Sequence, residues 1–338
     1  MKAFIKAIEY YLPNNILTNM DLASEFPEWS VEKIEEKTGI AQRNISGDGE
    51  CSSDLGVAAA QKLFSSGACS PEDVDYLLFC TQSPDYFLPT TACMMQERLG
   101  LPRSSGALDF NLGCSGYIYG LGLAKGLIES GQANNVLLIT AETYTKFIHP
   151  GDKSVRTLFG DAAAATFVQA TEADAEIIGP IAYGTDGRGA KNLIVPNGGL
   201  RSPIGATPAN VVEDESGNLR SEDNLFMNGS EVFTFTLLTV PKAVKGLLAK
   251  AECSMDDVDL FVFHQANKFM LEHLRKKCKI PEDKFYLAYS KFGNTVSSTI
   301  PIALKEALDD GTLKPGMKVM LVGFGVGYSW GGTLIDWC

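Results

Sequence analysis

Short apolar runs alternate with longer stretches of helical periodicity along the whole chain. Apolar runs near a Gly, Asp or Pro predict buried strands at residues 76–79, 136–139, 260–263 and 319–322. Apolar positions at helical spacing predict helices at residues 53–63, 91–99, 115–130, 232–251, 266–277 and 299–308. Strands that alternate with helices are typical of α/β proteins with parallel or mixed sheets.

Two stretches of the chain resemble each other at a constant offset. SPEDVDYLLFCTQS begins at Ser70 and SMDDVDLFVFHQAN begins at Ser254, and Ser, Asp, Val, Asp and Phe recur in register. GCS (113–115) and GNT (293–295) each lead through a helical stretch to a Gly, 17 residues after the middle residue, and then to an apolar run. Two matches in register predict duplicated halves, which we place at residues 1–175 and 176–338.

The duplication pairs Cys80 with His264 and Cys114 with Asn294. Equivalent loops of two halves related by a pseudo-twofold axis converge on one crevice, so Cys114, His264 and Asn294 are expected to meet there. The segment 184–224 holds seven Gly, three Pro and an acidic run at 213–215. It predicts an irregular excursion, which is a lid, a tunnel wall or a surface loop.

Composition and charge exclude several classes of protein. The 338 residues are 45% hydrophobic and 21% charged, which is a globular balance, and the formal net charge of −12 argues against nucleic acid or an anionic membrane as the main partner. No run reaches the ~18 apolar residues of a membrane span. Eight cysteines without CxxC spacing argue against a disulfide framework or a zinc site. We therefore expect a reduced, soluble, cytoplasmic protein.

Cys114 is the strongest candidate nucleophile. It follows an apolar run and Gly113, and a helical stretch rich in small residues comes next. A thiol at a helix N-terminus feels the positive end of the helix dipole, so we expect a lowered pKa and a favoured thiolate. Most free cysteines are simply small buried hydrophobic residues, and that interpretation suits the other seven.

His264, Asn294 and the Gly-rich tail are the other candidates. His264 ends an apolar run, where α/β folds place ligand-facing residues, although a structural His is the alternative. Asn294 suits a helix cap, but its equivalence to Cys114 favours the crevice. The tail GFGVGYSWGG (323–332) suits either a tight turn or half of an oxyanion hole. No GxGxxG or GxxxxGK[ST] pattern supports a nucleotide site.

Together these motifs resemble the β-ketoacyl-acyl-carrier-protein synthase III family. The resemblance is carried by GCSGY around Cys114, HQAN from His264, GNT from Gly293 and GFGVGYSWG near the C-terminus. FGDAAAA and MNGSEVF also match, and the similarity runs from KTGI at 37–40 to the C-terminus. It implies a thiolase-like fold with two duplicated halves in α-β-α-β-α layers, an acyltransferase of fatty acid biosynthesis, and usually a homodimer.

The resemblance implies a decarboxylative Claisen condensation with ping-pong kinetics. Cys114 would take the acyl group from a coenzyme A or carrier-protein thioester, with no metal or redox cofactor. His264 and Asn294 would then donate hydrogen bonds to the malonyl thioester of an acyl-carrier protein. The backbone N–H groups of Cys114 and Val326 would form the oxyanion hole.

The primer site departs from the family pattern, in which a Trp and an Arg enclose the adenine and a second Arg stands in RTGI. Here the motif is KTGI with Lys37, Lys33 stands at the Trp position, and Lys153 replaces the clamping Arg. Lysine neither stacks nor bonds phosphate bidentately, so the sequence favours a different acyl thioester, for example one on a carrier protein. Leu88, where a Phe often gates the acyl pocket, also suggests an altered acyl chain. The predicted substrate-binding residues are Lys37, Lys153, Leu88, Gly229 and Asn267.

The basic run at 264–279, of local charge +4, resembles the family's docking site for the acidic carrier protein. The predicted docking residues are Lys268, Arg275, Lys276 and Lys277, and Phe269 replaces a docking Arg. Most charge runs are simply solvated helix faces.

Other functions stay open at this stage. Relatives in secondary metabolism transfer the acyl group to an amine, alcohol or second thioester, in some cases without decarboxylation. A non-catalytic scaffold would not need Cys114, His264 and Asn294 all to be present. A Cys–His–Asn peptidase is disfavoured by the duplication and the whole-chain motifs.

Overall fold

Two β-sheets form the frame of the computed structural model, which describes residues 1–205 and 209–338. The main strands are β1 (Lys2–Tyr11), β2 (Asn15–Thr18), β3 (Gln42–Ile45), β4 (Tyr76–Cys80), β5 (Gly106–Phe110), β6 (Asn135–Glu142), β7 (Ala162–Thr171), β8 (Ile178–Thr185), β9 (Leu193–Ile194), β10 (Val212–Glu213), β11 (Leu219–Arg220), β12 (Phe226–Met227), β13 (Leu260–Phe263), β14 (Lys318–Gly325) and β15 (Ser329–Asp336). The α-helices are α1 (Asn19–Glu25), α2 (Val31–Thr38), α3 (Ser52–Ser65), α4 (Thr91–Arg98), α5 (Gly116–Glu129), α6 (Lys153–Arg156), α7 (Gly229–Lys250), α8 (Lys268–Cys278) and α9 (Thr299–Asp309).

The larger sheet has the strand order β1-β7-β6-β4-β5, and the smaller has the order β13-β14-β15-β8. In the larger sheet β4 pairs in parallel with β5 and β6, whereas β7 runs antiparallel to β6 and β1. In the smaller sheet β13 and β14 are parallel, and β15 and β8 are antiparallel to their neighbours. The four predicted strands are all present, and their parallel pairing brings their carboxyl ends to the same edge of each sheet.

Helices cover both sheets and fill the space between them. α3 and α4 pack on the outer face of the larger sheet, and α7 and α8 lie on the outer side of the smaller one. α5 and α9 contact strands of both sheets, and Ile118, Leu121 and Ile300 are buried in this middle layer. A Cβ on Gly120 would lie 2.5 Å from Leu138, so the glycine lets α5 approach the sheet closely. The result is the predicted α-β-α-β-α layering.

The predicted duplication recurs as local structure. The hydroxyl of Ser70 donates to Asp73, and the hydroxyl of Ser254 donates to Asp257, so both apolar strands are preceded by the same capped turn. Gly131 and Gly311, which close α5 and α9, both have φ of 75°. The boundary between residues 175 and 176 stays a prediction.

The excursion at 184–224 contains short strand pairs between its irregular stretches. β9 pairs with β12, and β10 pairs with β11. Leu219 of β11 packs against Gly151, and Arg220 pairs with the buried Asp152 at 3.4 Å. Residues 206–208 of the segment lie outside the described residues. The excursion is thus fastened to the loop that carries α6.

α7 passes a length and composition test for membrane spans, alone among the helices of the described residues. Its most apolar window has a mean hydropathy of 1.4. Phe235, Val240, Val244 and Leu247 are nevertheless buried, and the helix packs on β14, β15 and β8. This packing is typical of the core helix of a layered α/β fold.

Candidate active site

Cys114, His264 and Asn294 line one cavity of about 440 Å³, although they come from distant parts of the sequence. The wall is otherwise mainly apolar and includes Phe159, Leu193, Met227, Val232 and Phe324. Leu193 belongs to the excursion at 184–224, so that segment forms part of the wall. The structure therefore brings the three predicted catalytic residues together in one mainly apolar cavity.

Close backbone packing places Cys114 at the floor of this cavity. The chain leaves β5, turns through Gly113 and enters α5 directly after Cys114, whose side chain is 5% exposed. A Cβ on Gly325 would lie 2.9 Å from the Cys114 sulfur, and one on Gly113 would lie 2.7 Å from Val326. Glycine at these two positions lets the end of β14 approach the thiol.

The expectation of a lowered Cys114 pKa is wrong. Burial, followed by the negative charge of Glu142, raises the pKa of the thiol to about 12, although hydrogen bonds from the N–H groups of Cys114 and Val326 lower it. Desolvation thus outweighs the favourable backbone groups, because the helix terminus lies inside the protein. The resting group is a neutral thiol.

His264 directly follows β13, and its backbone N–H donates to Val322 at 2.8 Å. The side chain is 2% exposed. Its ring centre lies 5.5 Å from that of Phe324, and the two rings pack edge to face. Its Nδ1 lies 2.7 Å from the hydroxyl of Thr299. Burial lowers the pKa of His264 to about 3, so the imidazole is neutral at physiological pH.

Asn294 is held by its backbone and by its side-chain oxygen. Its N–H donates to Leu158 at 2.8 Å, and its C=O accepts from Gly160 at 3.0 Å. Its Oδ1 accepts from the N–H of Val296 at 2.9 Å, which leaves the amide NH₂ as its free polar end. Gly293 has φ of 67°, and a Cβ there would lie 2.8 Å from the Leu158 oxygen, so this approach needs glycine.

Glu142 is a buried neighbour of the site that sequence reasoning missed. It ends β6 with no exposed surface, and it accepts hydrogen bonds from Gln82 N–H at 3.0 Å and from Ser297 Oγ at 3.0 Å. Burial raises the pKa of this carboxyl to about 8. The available signal was a single acidic residue closing an otherwise apolar run, VLLITAE.

A second cavity, of about 310 Å³, borders the first and is lined by Trp29, Lys37 and Asn267. The amines of Lys33 and Lys37 lie 5.2 and 5.1 Å from the Trp29 ring centre. Sequence reasoning placed Lys33 at the family's Trp position and missed Trp29. Lys33 and Lys37 stand one turn apart on α2, and Trp29 precedes its N-cap Ser30, so the position of a Trp just before this lysine pair was the available signal.

The other predicted substrate-binding residues are dispersed. Lys153 forms an ion pair with Glu28, and Asn267 caps α8 by accepting from Met270 N–H at 2.9 Å. Asn267 and Gly229 line the catalytic cavity. Leu88 does not line this chain's own cavity and is 81% exposed.

The predicted docking residues lie on α8 beside the cavity mouth. Lys268, Lys276 and Lys277 are exposed, whereas Arg275 is half-buried and donates to the backbone oxygen of Ile280 at 3.3 Å. Phe269 is 53% exposed and lines both cavities. The carrier-docking role stays a prediction.

The comparisons with known proteins agree with this geometry. Residues 108–187 match the family model for 3-oxoacyl-[acyl-carrier-protein] synthase III, and residues 248–337 match the model for its C-terminal part. The β-ketoacyl-[acyl-carrier-protein] synthase III of Caldanaerobacter subterraneus subsp. tengcongensis is 38% identical over 97% of this chain and 95% of its own. The chain belongs to the β-ketoacyl-acyl-carrier-protein synthase III family.

Solved structures of family members share the fold. A crystal structure of a 3-oxoacyl-(acyl-carrier-protein) synthase III is 55% identical, covers both chains completely and superposes with a TM-score of 0.99. The priming β-ketosynthase of the R1128 polyketide biosynthetic pathway is 27% identical over 99% of this chain and 96% of its own, with a TM-score of 0.85. The predicted thiolase-like fold is confirmed, and the protein is a condensing acyltransferase.

Proposed function

We propose that this β-ketoacyl-acyl-carrier-protein synthase III condenses an acyl thioester primer with malonyl-acyl-carrier protein and releases carbon dioxide and a 3-oxoacyl thioester. The observation that carries the proposal is the meeting of Cys114, His264 and Asn294 in one mainly apolar cavity. A sulfur nucleophile and two neutral polar side chains are the groups that acyl transfer and carbanion formation need.

In the first stage the Cys114 sulfur attacks the carbonyl carbon of the primer thioester. The new C–S bond forms as the old one breaks, and the departing thiol takes up the proton that Cys114 gives up. The N–H groups of Cys114 and Val326, which already point at this sulfur, support an oxyanion hole at the same carbonyl. A neutral resting thiol protects the enzyme from adventitious alkylation until a thioester is bound.

In the second stage the malonyl thioester loses carbon dioxide and becomes an enolate. The Thr299 hydroxyl lies 2.7 Å from Nδ1 of His264 and 3.1 Å from the Val296 oxygen, and it can donate its single proton to one of them at a time. In this proposal the proton is directed at Nδ1, so that the neutral ring carries its own proton on Nε2 as a donor. Asn294 contributes its free NH₂ as a second donor. The enolate carbon attacks the acyl-Cys114 carbonyl, and collapse of the tetrahedral intermediate returns the electron pair to sulfur.

The pairing of the charged side chains near the cavity favours a primer bound to a carrier protein rather than a free coenzyme A thioester. Lys153 and Arg156, the two cations of α6, are paired with Glu28 and Glu25, and the neighbouring lysines lie against Trp29. Nucleotide phosphates would have to compete with those carboxylates. Among the residues that the structure describes, no carboxylate pairs with the exposed amines of Lys268, Lys276 and Lys277, which suit an acidic carrier protein.

The proposal includes a homodimer in the reducing environment of the cytoplasm. β5 forms an edge of the larger sheet, and its Leu108 is 41% exposed. Phe87 and Leu88 are 82% and 81% exposed. An unpaired edge and large exposed apolar side chains favour association with a second copy. Eight cysteines without disulfide-type spacing favour a reducing compartment.

Mass spectrometry after incubation with a panel of acyl-coenzyme A and acyl-carrier thioesters tests the function. We expect the acyl group on Cys114 and, after malonyl-acyl-carrier protein is added, carbon dioxide and a 3-oxoacyl product. Cys114→Ala should abolish labelling, whereas Cys93→Ala, at an exposed position of α4, should keep it. Labelling without carbon dioxide release would support acyl transfer without decarboxylation instead, and no labelling by any primer would contradict both.

A further inference from the structure

Glu142 is a buried carboxyl group near the nucleophile that the proposed chemistry does not use. Its side chain has no exposed surface at the end of β6. None of the ion pairs within the described ranges includes it. A buried acid without a cationic partner is costly to ionise, so its retention beside a reactive thiol calls for a reason.

The hydrogen bonds of Glu142 join the two halves of the protein beneath the cavity. From the first half, the N–H of Gln82 and the hydroxyl of Ser83 donate to its Oε2 at 3.0 and 3.3 Å. From the second half, the hydroxyl of Ser297 donates to its Oε1 at 3.0 Å. The carboxyl therefore ties the loop after β4 to the segment that follows Asn294.

The segment of residues 294–299 also contains Asn294 itself and the residue that contacts His264. Asn294 lines the cavity, and Thr299 contacts Nδ1 of His264 at 2.7 Å. Ser297 stands between them and bonds to Glu142. On the other side, a Cβ on Gly116, at the start of the Cys114 helix, would lie 3.7 Å from the Ser297 side chain. Glu142 is therefore linked to all three catalytic candidates through one short segment.

The titratable groups around Glu142 are acids, and all of them belong to the first half of the chain. They are Cys80 of β4, Cys114 before α5, Tyr144 after β6 and Asp161 before β7. After burial, the negative charge of Glu142 is the next cause that raises the pKa of the Cys80 and Cys114 thiols. The neutral imidazole of His264 lies across the segment 294–299 and provides no compensating charge.

We propose that Glu142 is a positioning residue that controls the acidity of Cys114, with the neutral carboxyl as the form that supports acyl loading and the carboxylate as the form that opposes it. The inference rests on the proposed nucleophilic role of Cys114. At pH 7 the carboxyl is largely neutral, because burial raises its pKa to about 8. As the pH rises through 8, Glu142 becomes negatively charged and makes the Cys114 thiol a weaker acid. The reactivity of Cys114 therefore rises less steeply with pH than that of an isolated thiol.

Alkylation of Cys114 by iodoacetamide, followed on its peptide by mass spectrometry from pH 6 to 10, tests this inference without any substrate. The result is thus independent of whether the protein performs the proposed condensation. Glu142→Gln keeps the size and the acceptor oxygen but cannot ionise. We expect its alkylation rate to match the parent at pH 6.5 and to exceed it about tenfold at pH 9.5, since one pKa unit is a tenfold change in thiolate.

Glu129→Gln is the matched control, because Glu129 ends the Cys114 helix at the surface and pairs with Lys125 at 2.9 Å. The alkylation rate of Cys114 in Glu129→Gln should equal that of the parent protein at every pH. A ratio of Glu142→Gln to parent that does not change with pH would overturn the inference. If Glu142→Gln fails to fold, Ser297→Ala tests the inference in its place. Loss of the Ser297 donor destabilises the Glu142 carboxylate, so the pH at which Cys114 alkylation begins to be suppressed should rise. An unchanged pH would overturn the inference.

Discussion

The two halves of the protein share a frame and differ in the chemistry placed on it. Ser70 and Ser254 cap equivalent turns, and each apolar strand that follows leads to one of a pair of equivalent residues. In the first half that residue is Cys80, whose buried thiol donates to the Leu112 oxygen at 3.1 Å. In the second half it is His264, which lines the cavity.

The same division holds at the second pair of equivalent positions. Cys114 precedes α5 and carries a thiol, whereas Asn294 precedes α9 and carries an amide. In the proposed reaction the first half thus supplies the atom that carries the acyl group, together with the nearby acid Glu142. The second half supplies neutral hydrogen-bond donors. A duplicated frame allows this division because each copy can change its strand-end residues without altering the core that both halves build.

The largest effect is expected for His264, and the equivalent residue Cys80 serves as its comparison. His264→Ala should lower malonyl decarboxylation by about 10²–10³, the usual effect of losing a donor to a developing oxyanion, while Cys114 still becomes acylated. Cys80→Ala should change either step by only a few-fold, because this thiol touches no reacting atom. Radiolabelled carbon dioxide release and acyl labelling measure the two steps separately. Equal losses of both steps in His264→Ala would contradict the division between the halves.

A smaller effect is expected at Thr299, whose hydroxyl lies 2.7 Å from Nδ1 of His264 and in our proposal fixes the proton on the ring. Thr299→Val should lower decarboxylation about tenfold, since one buried hydrogen bond contributes roughly 1–1.5 kcal/mol, and should leave acyl loading intact. Thr299→Ser retains the hydroxyl and should restore most of the activity. Steady-state assays of the two steps check this prediction. If valine and serine variants behaved alike, the hydroxyl would have no part in orienting the imidazole.

The smallest effect concerns the shared frame. Ser70→Ala and Ser254→Ala should each reduce the free energy of unfolding by about 1 kcal/mol, because each removes one capping hydroxyl. Neither should alter the rates of acyl loading or decarboxylation. Urea denaturation followed by circular dichroism measures both variants. A large loss in one half beside no loss in the other would show that the repeated turns are not energetically equivalent.

Much of the frame could be predicted because it depends on local patterns. The six predicted helices occur within a few residues of their predicted bounds, for example Gly116–Glu129 for 115–130. The alanine-rich β7 and the neighbouring β1 were not predicted as strands. β1 has mixed polarity, and its register is fixed only by its pairing with β7. The repeat also predicted that Cys114, His264 and Asn294 would meet, because equivalent loops of duplicated halves converge.

The electrostatics of the site could not be predicted in the same way. The pKa of Cys114 was expected to be low from the helix terminus, yet burial raises it to about 12. Trp29 was overlooked beside Lys33 and Lys37, although its ring lies against both amines. Glu142 carried no motif. Each of these properties depends on neighbours that are distant in the sequence.

The sequence by itself determined the family to which the chain belongs, and it was enough to predict the candidate reacting groups and the duplication that relates them. Short-range spacing and side-chain chemistry suffice for these. Only the tertiary structure decided the protonation states of Cys114 and His264, the place of Leu193 in the cavity wall, and the hydrogen bond from Ser297 to Glu142. Desolvation and long-range contacts depend on what surrounds an atom in space, and folding brings those surroundings together from both halves of the chain.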